Sequence, residues 1–257
     1  MFPYVYAGDI EISTHLIMII AGILSGFLLL LYNIKDMDYK TKKSVLLFAI
    51  LIFLPFFFGG WLGHVIENFI SNKSACVTKN NLFWSFSLVW GFALSVIIAF
   101  PLTGLLKLNI WTAGDIFSMS IAIGGFFAKL GCFFDGCCFG IPSPENFPFG
   151  IFYPYGSYPQ TLFGDVKLYP SQLFESFAWL IIFIILILRK KYKSFDGELI
   201  ILLSFLFGLF RFFIEFTRFH VVKSFLSEGQ IFSLIFIIIA LICYILKRKP
   251  YKKLDKI

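Results

Sequence analysis

The stretch "SQLFESFAWLIIFIILILRKKYK", residues 171–193, combines a long apolar run with a basic flank. Its apolar part, residues 171–188, is close to the roughly 20 residues that a helix needs to cross about 30 Å of hydrocarbon. Comparable runs occupy residues 12–32, 44–69, 82–106, 113–127, 199–219 and 230–246. The sequence therefore predicts an all-α polytopic membrane protein with about seven transmembrane helices, organised as a single membrane domain over residues 1–257.

The charged residues indicate how the chain is oriented in the membrane. Of the 257 residues, 59% are hydrophobic and 14% are charged, and the formal net charge is +7. Basic residues concentrate beside the predicted spans, in residues 35–43, 189–193 and 247–253 and at Lys107. The positive-inside rule places these flanks in the cytoplasm, so the N-terminus is expected outside and the C-terminal tail, residues 247–257, inside. Attraction of the flanks to anionic lipid accounts for the charge, and no nucleic-acid partner is predicted.

Residues 141–169, between the fourth and fifth predicted spans, are rich in Pro, Gly and Tyr. The segment is too polar and too often interrupted to be another span, so it is predicted to form a small extracytoplasmic head or lid. Non-helical backbone at membrane depth is tolerated where it is buried in protein or lines a wet cavity. A cavity is therefore expected beside this segment.

The stretch "GLFRFFIEFTR", residues 208–218, places charges inside an apolar run. Arg211, Glu215 and Arg218 are spaced i, i+4, i+7, so one face of a helix presents a cation, an anion and a second cation. Charges within a membrane are costly unless they are paired or hydrated, and they commonly mark a functional cavity. The alternative is a structural ion pair, with Arg218 reaching the membrane boundary.

Polar residues also open the fifth span, in "YPSQLFESF", residues 169–177. Ser171 and Gln172 can satisfy free amides of the first helical turn or bind a ligand, and Glu175 lies one turn further in. Capping alone would explain Ser171. It does not explain why Gln172 and Glu175 enter an apolar run, so all three are candidate substrate-binding residues.

Two histidines lie in or beside the first two spans. In "GGWLGHVIENF", residues 59–69, His64 and Glu67 share one helical face, and the glycines allow close approach of another helix. His64 is either a functional residue or a hydrogen-bonded residue at the membrane interface. His15, in the first run, is open to the same two interpretations.

The stretch "KLGCFFDGCCFG", residues 129–140, contains three of the five cysteines of the chain. Cys132, Cys137 and Cys138 are open to four interpretations: a nucleophile, a disulfide with a partner such as Cys76, a metal site, or packing of a glycine-rich turn. The C-x4-C-C spacing departs from the paired ligands of a usual zinc site. No metal and no other cofactor is therefore predicted.

Five stretches together resemble the bacterial prolipoprotein diacylglyceryl transferase family. They are "GGWLGHVIENF" (59–69), "KLGCFFDGCCFG" (129–140), "FPFGIFYP" (147–154), "YPSQLFESF" (169–177) and "GLFRFFIEFTR" (208–218). Members of that family move the diacylglyceryl group of phosphatidylglycerol to the thiol of a lipobox cysteine in an exported preprotein and release glycerol phosphate. The resemblance implies a multi-pass transferase of the bacterial cytoplasmic membrane that uses a phospholipid donor at the outer leaflet.

This sequence departs from the family at several polar positions. The family signature reads Arg-hydrophobic-Gly-Asn, two residues, then Asn-Gly-Glu, whereas the same frame here carries Lys129, Cys132, Asp135 and Cys137. The family's His-Gly-Gly stretch has no counterpart in "SLVWGF", residues 87–92. The chain is therefore similar to a divergent, cysteine-containing branch, and the acceptor and the donor head group stay open.

The resemblance and the chemistry together suggest site residues. The candidate catalytic residues are Arg211, Glu215, His64 and Asp135. The candidate substrate-binding residues are Lys129, Gly131, Cys132, Gly136, Cys137, Gly140, Ser171, Gln172, Glu175 and Arg218. Arg211 is expected to offer a planar fork to the donor phosphate, Glu215 to orient Arg211, and His64 to accept the acceptor's proton. The glycines are expected to let the backbone approach the head group.

Two other classes of protein remain open at this point. A membrane thiol oxidoreductase would suit the cysteines, although the sequence contains no C-x-x-C pair. A non-catalytic lipid-binding or transport protein would suit the membrane fold, although the apolar runs do not repeat as they do in many transporters.

Overall fold

The computed structural model describes residues 4–7, 10–71, 88–220 and 225–248, with the backbone alone for residues 6, 7, 10, 64, 67–71, 88 and 89. Eight α-helices lie in this described part of the chain. They are α1 (Thr14–Ile34), α2 (Tyr39–Ser71), α3 (Leu88–Leu105), α4 (Ile110–Asp135), α5 (Tyr158–Phe163), α6 (Ser171–Lys190), α7 (Glu198–Ile214) and α8 (Glu228–Lys247). A 3-10 turn, Glu215–Thr217, continues α7. An antiparallel pair of strands, β1 (Tyr4–Ala7) and β2 (Ile10–Ser13), precedes α1 and was not predicted.

The helices confirm an all-α polytopic membrane protein. Six of the described helices are long and apolar enough to cross a membrane, and α3 contributes a shorter apolar segment, Trp90–Leu105. Each of the seven predicted runs overlaps one of these helices, and residues 82–87 of the third run lie outside the described residues. The helix α4 continues to Asp135, well past residue 127, the predicted end of its apolar run. The polar residues that end the apolar pattern are still part of the helix.

Contacts divide the chain into two compact units, residues 34–113 and the remainder. The organisation of residues 1–257 as a single membrane domain therefore stays a prediction. In the first unit, α2 packs against α3. A Cβ atom at Gly59 would lie 2.8 Å from Cβ of Leu94, and one at Gly63 would overlap the side chain of Trp90. These glycines therefore permit the close helix approach that the sequence predicts.

The second unit contains α1, most of α4, and α6, α7 and α8. Its apolar core lies between α4, α6 and α7, where Met119, Trp179, Ile182 and Leu199 pack together. Many large apolar side chains on the outer faces are exposed, such as that of Leu28 in α1. A helix that presents apolar side chains outward as well as inward suits a hydrocarbon solvent.

The segment between α4 and α6 contains only the short helix α5 and isolated backbone pairs, so it is not a span, as predicted. It has a small core of its own in which Phe139, Tyr153 and Leu168 pack together. Leu168 pairs with both Pro142 and Ile151, which draws the two ends of the segment together. Its position outside the membrane stays a prediction.

Basic residues gather at the end of the second unit where α6 ends and α7 begins. The carboxylate of Asp115 accepts hydrogen bonds from the amides of Gly197 and Leu199, both at 2.8 Å, and so caps the start of α7. Nζ of Lys193 lies 3.1 Å from the same carboxylate, and Arg189 pairs with Glu198. This end agrees with the cytoplasmic side that the positive-inside rule assigns.

The predicted orientation can be tested with cysteines introduced at two exposed positions. A cysteine at Tyr155, which is 94% exposed in the segment between α4 and α6, is expected to react in intact cells with a membrane-impermeant maleimide. A cysteine at Lys191 is expected to react only after the membrane is permeabilised. Labelling is compared with that of the unsubstituted chain. Strong labelling at Lys191 in intact cells would contradict the orientation.

Candidate active site

Four helix ends meet at the opposite end of the second unit. The chain alternates direction, so the ends of α4 and α7 lie level with the starts of α6 and α8. Ion pairs and hydrogen bonds connect them: Lys129 of α4 with Glu175 of α6, Glu175 with Arg211 of α7, and Glu215 with Ser227 before α8. The polar residues that the sequence places inside apolar runs therefore lie together.

Glu175 is the centre of this arrangement. Its side chain is 6% exposed and forms ion pairs with Lys129, Arg211 and Arg218. The Arg218 contact joins Nη1 to Oε1 at 3.2 Å. Because one buried carboxylate contacts cations from two helices and from the turn after α7, it fixes these three elements relative to one another.

Glu215 is the second buried carboxylate. Its Oε2 lies 2.9 Å from Nη2 of Arg211, and its Oε1 accepts a hydrogen bond of 2.9 Å from Oγ of Ser227. Nε2 of His220 lies 3.2 Å from the same Oε1. Burial lowers the pKa of His220, so this imidazole is neutral at pH 7. Among the described residues Oε2 has no hydrogen-bond partner, although it lies close to Arg211.

The two carboxylates do not balance the cations around them. Within this ion-pair network Lys129, Arg211 and Arg218 contribute three positive charges and Glu175 and Glu215 two negative ones, so one positive charge of the network is in excess. Buried charges without a counter-charge are costly. This excess favours binding of an anion.

The cysteine-rich stretch ends α4 with a tight turn. Gly136 and Cys138 both adopt positive φ angles, 73° and 57°, in the left-handed region. This turn brings Sγ of Cys132, Cys137 and Cys138 within 4.8 Å of one another. All three are free thiols, and Cys76, the disulfide partner considered above, lies outside the described residues. Hydrogen bonding with Cys132 and Cys138, together with burial, raises the pKa of Cys137.

Gln172 and Ser171 hold the backbone around this turn. Nε2 of Gln172 donates a hydrogen bond of 2.7 Å to the carbonyl of Cys137, and its Oε1 accepts one of 3.1 Å from the hydroxyl of Tyr153. Burial raises the pKa of Tyr153 to about 12, so the phenol keeps its proton. Oγ of Ser171 donates to the carbonyl of Thr217 at 3.1 Å. Both polar side chains hydrogen-bond to protein groups, so they position the turn, and their predicted contact with substrate stays a prediction.

Contacts and backbone conformation within the protein explain why glycine occupies the three predicted positions. A Cβ atom at Gly131 would lie 2.6 Å from Cδ2 of His15, so Gly131 lets α1 approach α4. A Cβ atom at Gly140 would overlap the carbonyls of Tyr169 and Thr217. Gly136 supplies the left-handed turn described above. Internal packing and backbone conformation account for all three, and their predicted contact with the head group stays a prediction.

The remaining predicted residues lie apart from the ion network or cannot be placed. Asp135 is partly exposed at the end of α4, and its Oδ2 lies 3.8 Å from Nδ1 of His15. The side chains of His64 and Glu67 lie outside the described residues, so the role of His64 as proton acceptor stays a prediction.

Sequence reasoning missed three residues that contact or enclose Glu215: His220, Ser227 and Gly229. The capping box of α8, formed by Ser227 and Gln230, was visible as an S-x-x-Q pattern. His220 follows the last motif by two residues but lies outside its helical spacing. No local pattern connects Gly229 with Glu215, because that contact joins two different helices.

Gly229→Ala is expected to displace the Glu215 carboxylate, because a Cβ atom at Gly229 would overlap it. A displacement of about 1 Å at a catalytic site commonly costs ~100-fold in rate, so turnover of the purified protein should fall ~10- to 100-fold. The control is Gly124→Ala in α4, where a Cβ atom meets nothing within 4 Å. Equal turnover of the two variants would show that the position of Glu215 does not matter.

An apolar groove of about 440 Å³ lies beside the start of α6. It is lined by Pro148, Phe149, Gly150, Ile151, Pro170, Leu173, Phe174 and Phe177. Its wall includes part of the "FPFGIFYP" stretch, which therefore contributes to a surface suited to a hydrocarbon chain.

The fold and the site together define a polytopic helical membrane protein with a buried, net-cationic site at one end of its helices. Residues 3–246 match the family described as prolipoprotein diacylglyceryl transferase, and the chain belongs to that family.

Three relatives are named phosphatidylglycerol–prolipoprotein diacylglyceryl transferase. The protein of Campylobacter hominis is 36% identical over 143 residues, which are 53% of this chain and 47% of the relative. That of Campylobacter lari is 35% identical over 141 residues, 52% of this chain and 48% of the relative. The chain thus spans about half the length of these relatives. The protein of Clostridium tetani is 28% identical over 240 residues, 90% of this chain and 91% of the relative.

Proposed function

We propose that this protein is a membrane transferase that moves the diacylglyceryl group of a phosphatidylglycerol-like phospholipid to the thiol of an acceptor, such as an exported preprotein, and releases glycerol phosphate. The observation that carries the proposal is the convergence of Lys129, Arg211 and Arg218 on buried carboxylates that do not balance them. The names of the relatives supply the donor and the acceptor. The reaction takes place at the outer leaflet of the bacterial cytoplasmic membrane.

The donor phosphodiester binds to Arg218 and Lys129. Among the described residues, Arg218 contacts Glu175 through Nη1, which leaves further N–H groups of its guanidinium for a phosphate oxygen. Arg211 differs from the expected free fork, because its two terminal nitrogens contact Glu175 and Glu215. Arg211 therefore fixes the two carboxylates and adds positive charge close to the phosphate.

The apolar groove beside α6 accepts part of an acyl chain of the donor. Its lining is almost entirely apolar, and Pro170 and Phe174 connect it to the helix that carries Glu175. A phospholipid needs a polar site for its head group and an apolar surface for its chains, and the start of α6 contributes to both.

The reaction is a displacement at carbon. The acceptor thiol loses its proton, and the thiolate attacks the glyceryl carbon that is bonded to the phosphate oxygen. The new S–C bond forms as the C–O bond breaks, and the phosphate leaves with the electron pair. Cations close to the leaving phosphate stabilise the charge that develops on it. Glu215 and the neutral His220 are candidate proton acceptors in addition to His64.

The proposal is tested with purified protein, phosphatidylglycerol in detergent micelles and a lipobox peptide that contains one cysteine. The mass of the peptide is expected to rise by one diacylglyceryl group, and a peptide with serine in place of cysteine should stay unchanged. An unmodified cysteine peptide, with folded protein and donor present, would favour the lipid-binding alternative. A change in the redox state of the peptide would favour the oxidoreductase alternative.

A further inference from the structure

The proposed function gives no role to the three clustered thiols, and the predicted substrate contact of Cys132 and Cys137 stays a prediction. Cys132 is buried and Cys137 and Cys138 are partly buried, and their Sγ atoms lie within 4.8 Å of one another. Cys243, on α8, is a free cysteine of the described residues that does not belong to this cluster. Three thiols at such distances need a common chemical explanation.

We propose that Cys132, Cys137 and Cys138 bind a Zn²⁺ ion as thiolates, and that the acceptor thiol occupies the fourth coordination position. The acceptor rests on the proposed function, whereas the metal site itself does not. This inference departs from the expectation drawn from the C-x4-C-C spacing, because the left-handed turn at Gly136 and Cys138 brings together sulfurs that the spacing separates.

The distances suit a thiolate site. Zn–S bonds of about 2.3 Å in a tetrahedron place sulfurs roughly 3.8 Å apart, so the cluster needs only a small contraction to bind the metal. Cys138 adopts φ 57°, a conformation that residues other than glycine rarely take. Such strain persists where the surroundings impose it and often marks a functional site. Here the hydrogen bond from Gln172 to the carbonyl of Cys137 holds the turn.

The chemistry of the ligands favours zinc with an open position. Thiolates are soft ligands that select metals such as Zn²⁺, and catalytic zinc sites combine three protein ligands with water or substrate. The described residues place three sulfurs together and no fourth ligand atom with them. His15 contacts the Cys132 thiol and Asp135, so it is suited to support a ligand.

Two cations lie close to the clustered thiols. Lys129 interacts electrostatically with the thiols of Cys132 and Cys138, and Arg218 with all three thiols. The same two cations receive the donor phosphodiester in the proposed reaction. The zinc site would therefore lie beside the carbon that the acceptor attacks.

Zinc would prepare the acceptor for the displacement. A thiol that coordinates a metal gives up its proton, so the acceptor reaches the site as a zinc-bound thiolate. Its sulfur then forms the S–C bond as the C–O bond to phosphate breaks, and the electron pair leaves with the phosphate. Zinc stays divalent throughout, so no oxidant or reductant takes part.

The test measures metal content and sulfur coordination in protein purified without chelators or added metal. The wild type should contain about one zinc per chain, and X-ray absorption at the zinc edge should show three sulfurs at about 2.3 Å and one lighter atom. Addition of the lipobox peptide should raise the number of sulfurs to four. Cys137→Ser and Cys138→Ser should each lose at least about 80% of the zinc, while Cys243→Ser, the matched control, should keep it.

Several results would overturn the proposal. The first is wild-type protein that contains no zinc and takes up none when zinc is added. The second is a protein mass lower by two hydrogens, which would reveal a disulfide in the cluster. The third is a full zinc content in Cys137→Ser and Cys138→Ser. The wild-type absorption spectrum decides the matter if a variant does not fold. Protein that lacks zinc yet modifies the peptide refutes the metal site alone, whereas zinc-loaded protein that leaves the peptide unmodified refutes the transferase alone.

Discussion

Replacing Glu175 by glutamine is expected to lower turnover at least ~100-fold and to destabilise the protein by about 3–5 kcal/mol. The carboxylate contacts Lys129, Arg211 and Arg218, so its loss leaves three buried cations close together without their shared counter-charge. Repulsion among them should push apart α4, α7 and the turn that follows α7. Thermal unfolding in detergent and turnover per folded molecule measure the two effects.

Glu198→Gln is the matched control for this prediction. Glu198 is also buried and paired with an arginine, Arg189, but it lies at the other end of α7. Its replacement should lower stability and leave turnover per folded molecule within about twofold of the wild type. If Glu175→Gln shows the same pattern as Glu198→Gln, Glu175 is a structural residue and the site assignment is wrong.

Arg211→Ala is expected to reduce turnover about 1,000-fold or more while folded protein can still be purified. The guanidinium joins Glu175 to Glu215, so its loss removes positive charge beside the donor phosphate and breaks the link between the two carboxylates. Arg211→Lys should recover only part of the activity, since a point charge cannot contact both carboxylates as the planar fork does.

The control for Arg211 is Arg189→Ala, which breaks an ion pair at the basic end of the same unit. That variant should retain nearly full turnover, because its ion pair lies away from the site. Near-normal turnover of Arg211→Ala would refute the role of this arginine. Failure of Arg211→Ala to fold, when Arg189→Ala folds, would favour the structural ion-pair interpretation considered from the sequence.

The membrane fold was predictable because each spanning helix has a local signal in the sequence, namely its apolar run. An apolar run of about 20 residues has few alternatives to a spanning helix, and in the described part of the chain each of the seven runs overlaps an apolar helix. Intramembrane charge was an equally local signal, and it identified Arg211, Glu215 and Glu175, which the structure brings together. The family resemblance rested on the same stretches and is confirmed by the match over residues 3–246.

The contacts between helices were not predictable from one sequence. Nothing in the spacing shows that Glu175 contacts three cations, or that Gly229 faces Glu215. Ser171 and Gln172 were predicted to bind substrate, and the sequence does not reveal that both also donate hydrogen bonds to backbone carbonyls. The left-handed conformation of Cys138 was equally hidden, because it is imposed by the surrounding chain rather than by the residue itself.

The central claim is that the cationic site cleaves a phosphatidylglycerol-like donor, and head-group release tests it most directly. Purified protein is incubated with phosphatidylglycerol labelled in its terminal glycerol, with and without a cysteine-containing lipobox peptide. We predict that water-soluble labelled glycerol phosphate appears with the wild type and peptide together, and that Arg211→Ala releases at most about one thousandth as much. Label that stays entirely in the lipid fraction, with folded wild-type protein and acceptor present, would contradict the claim.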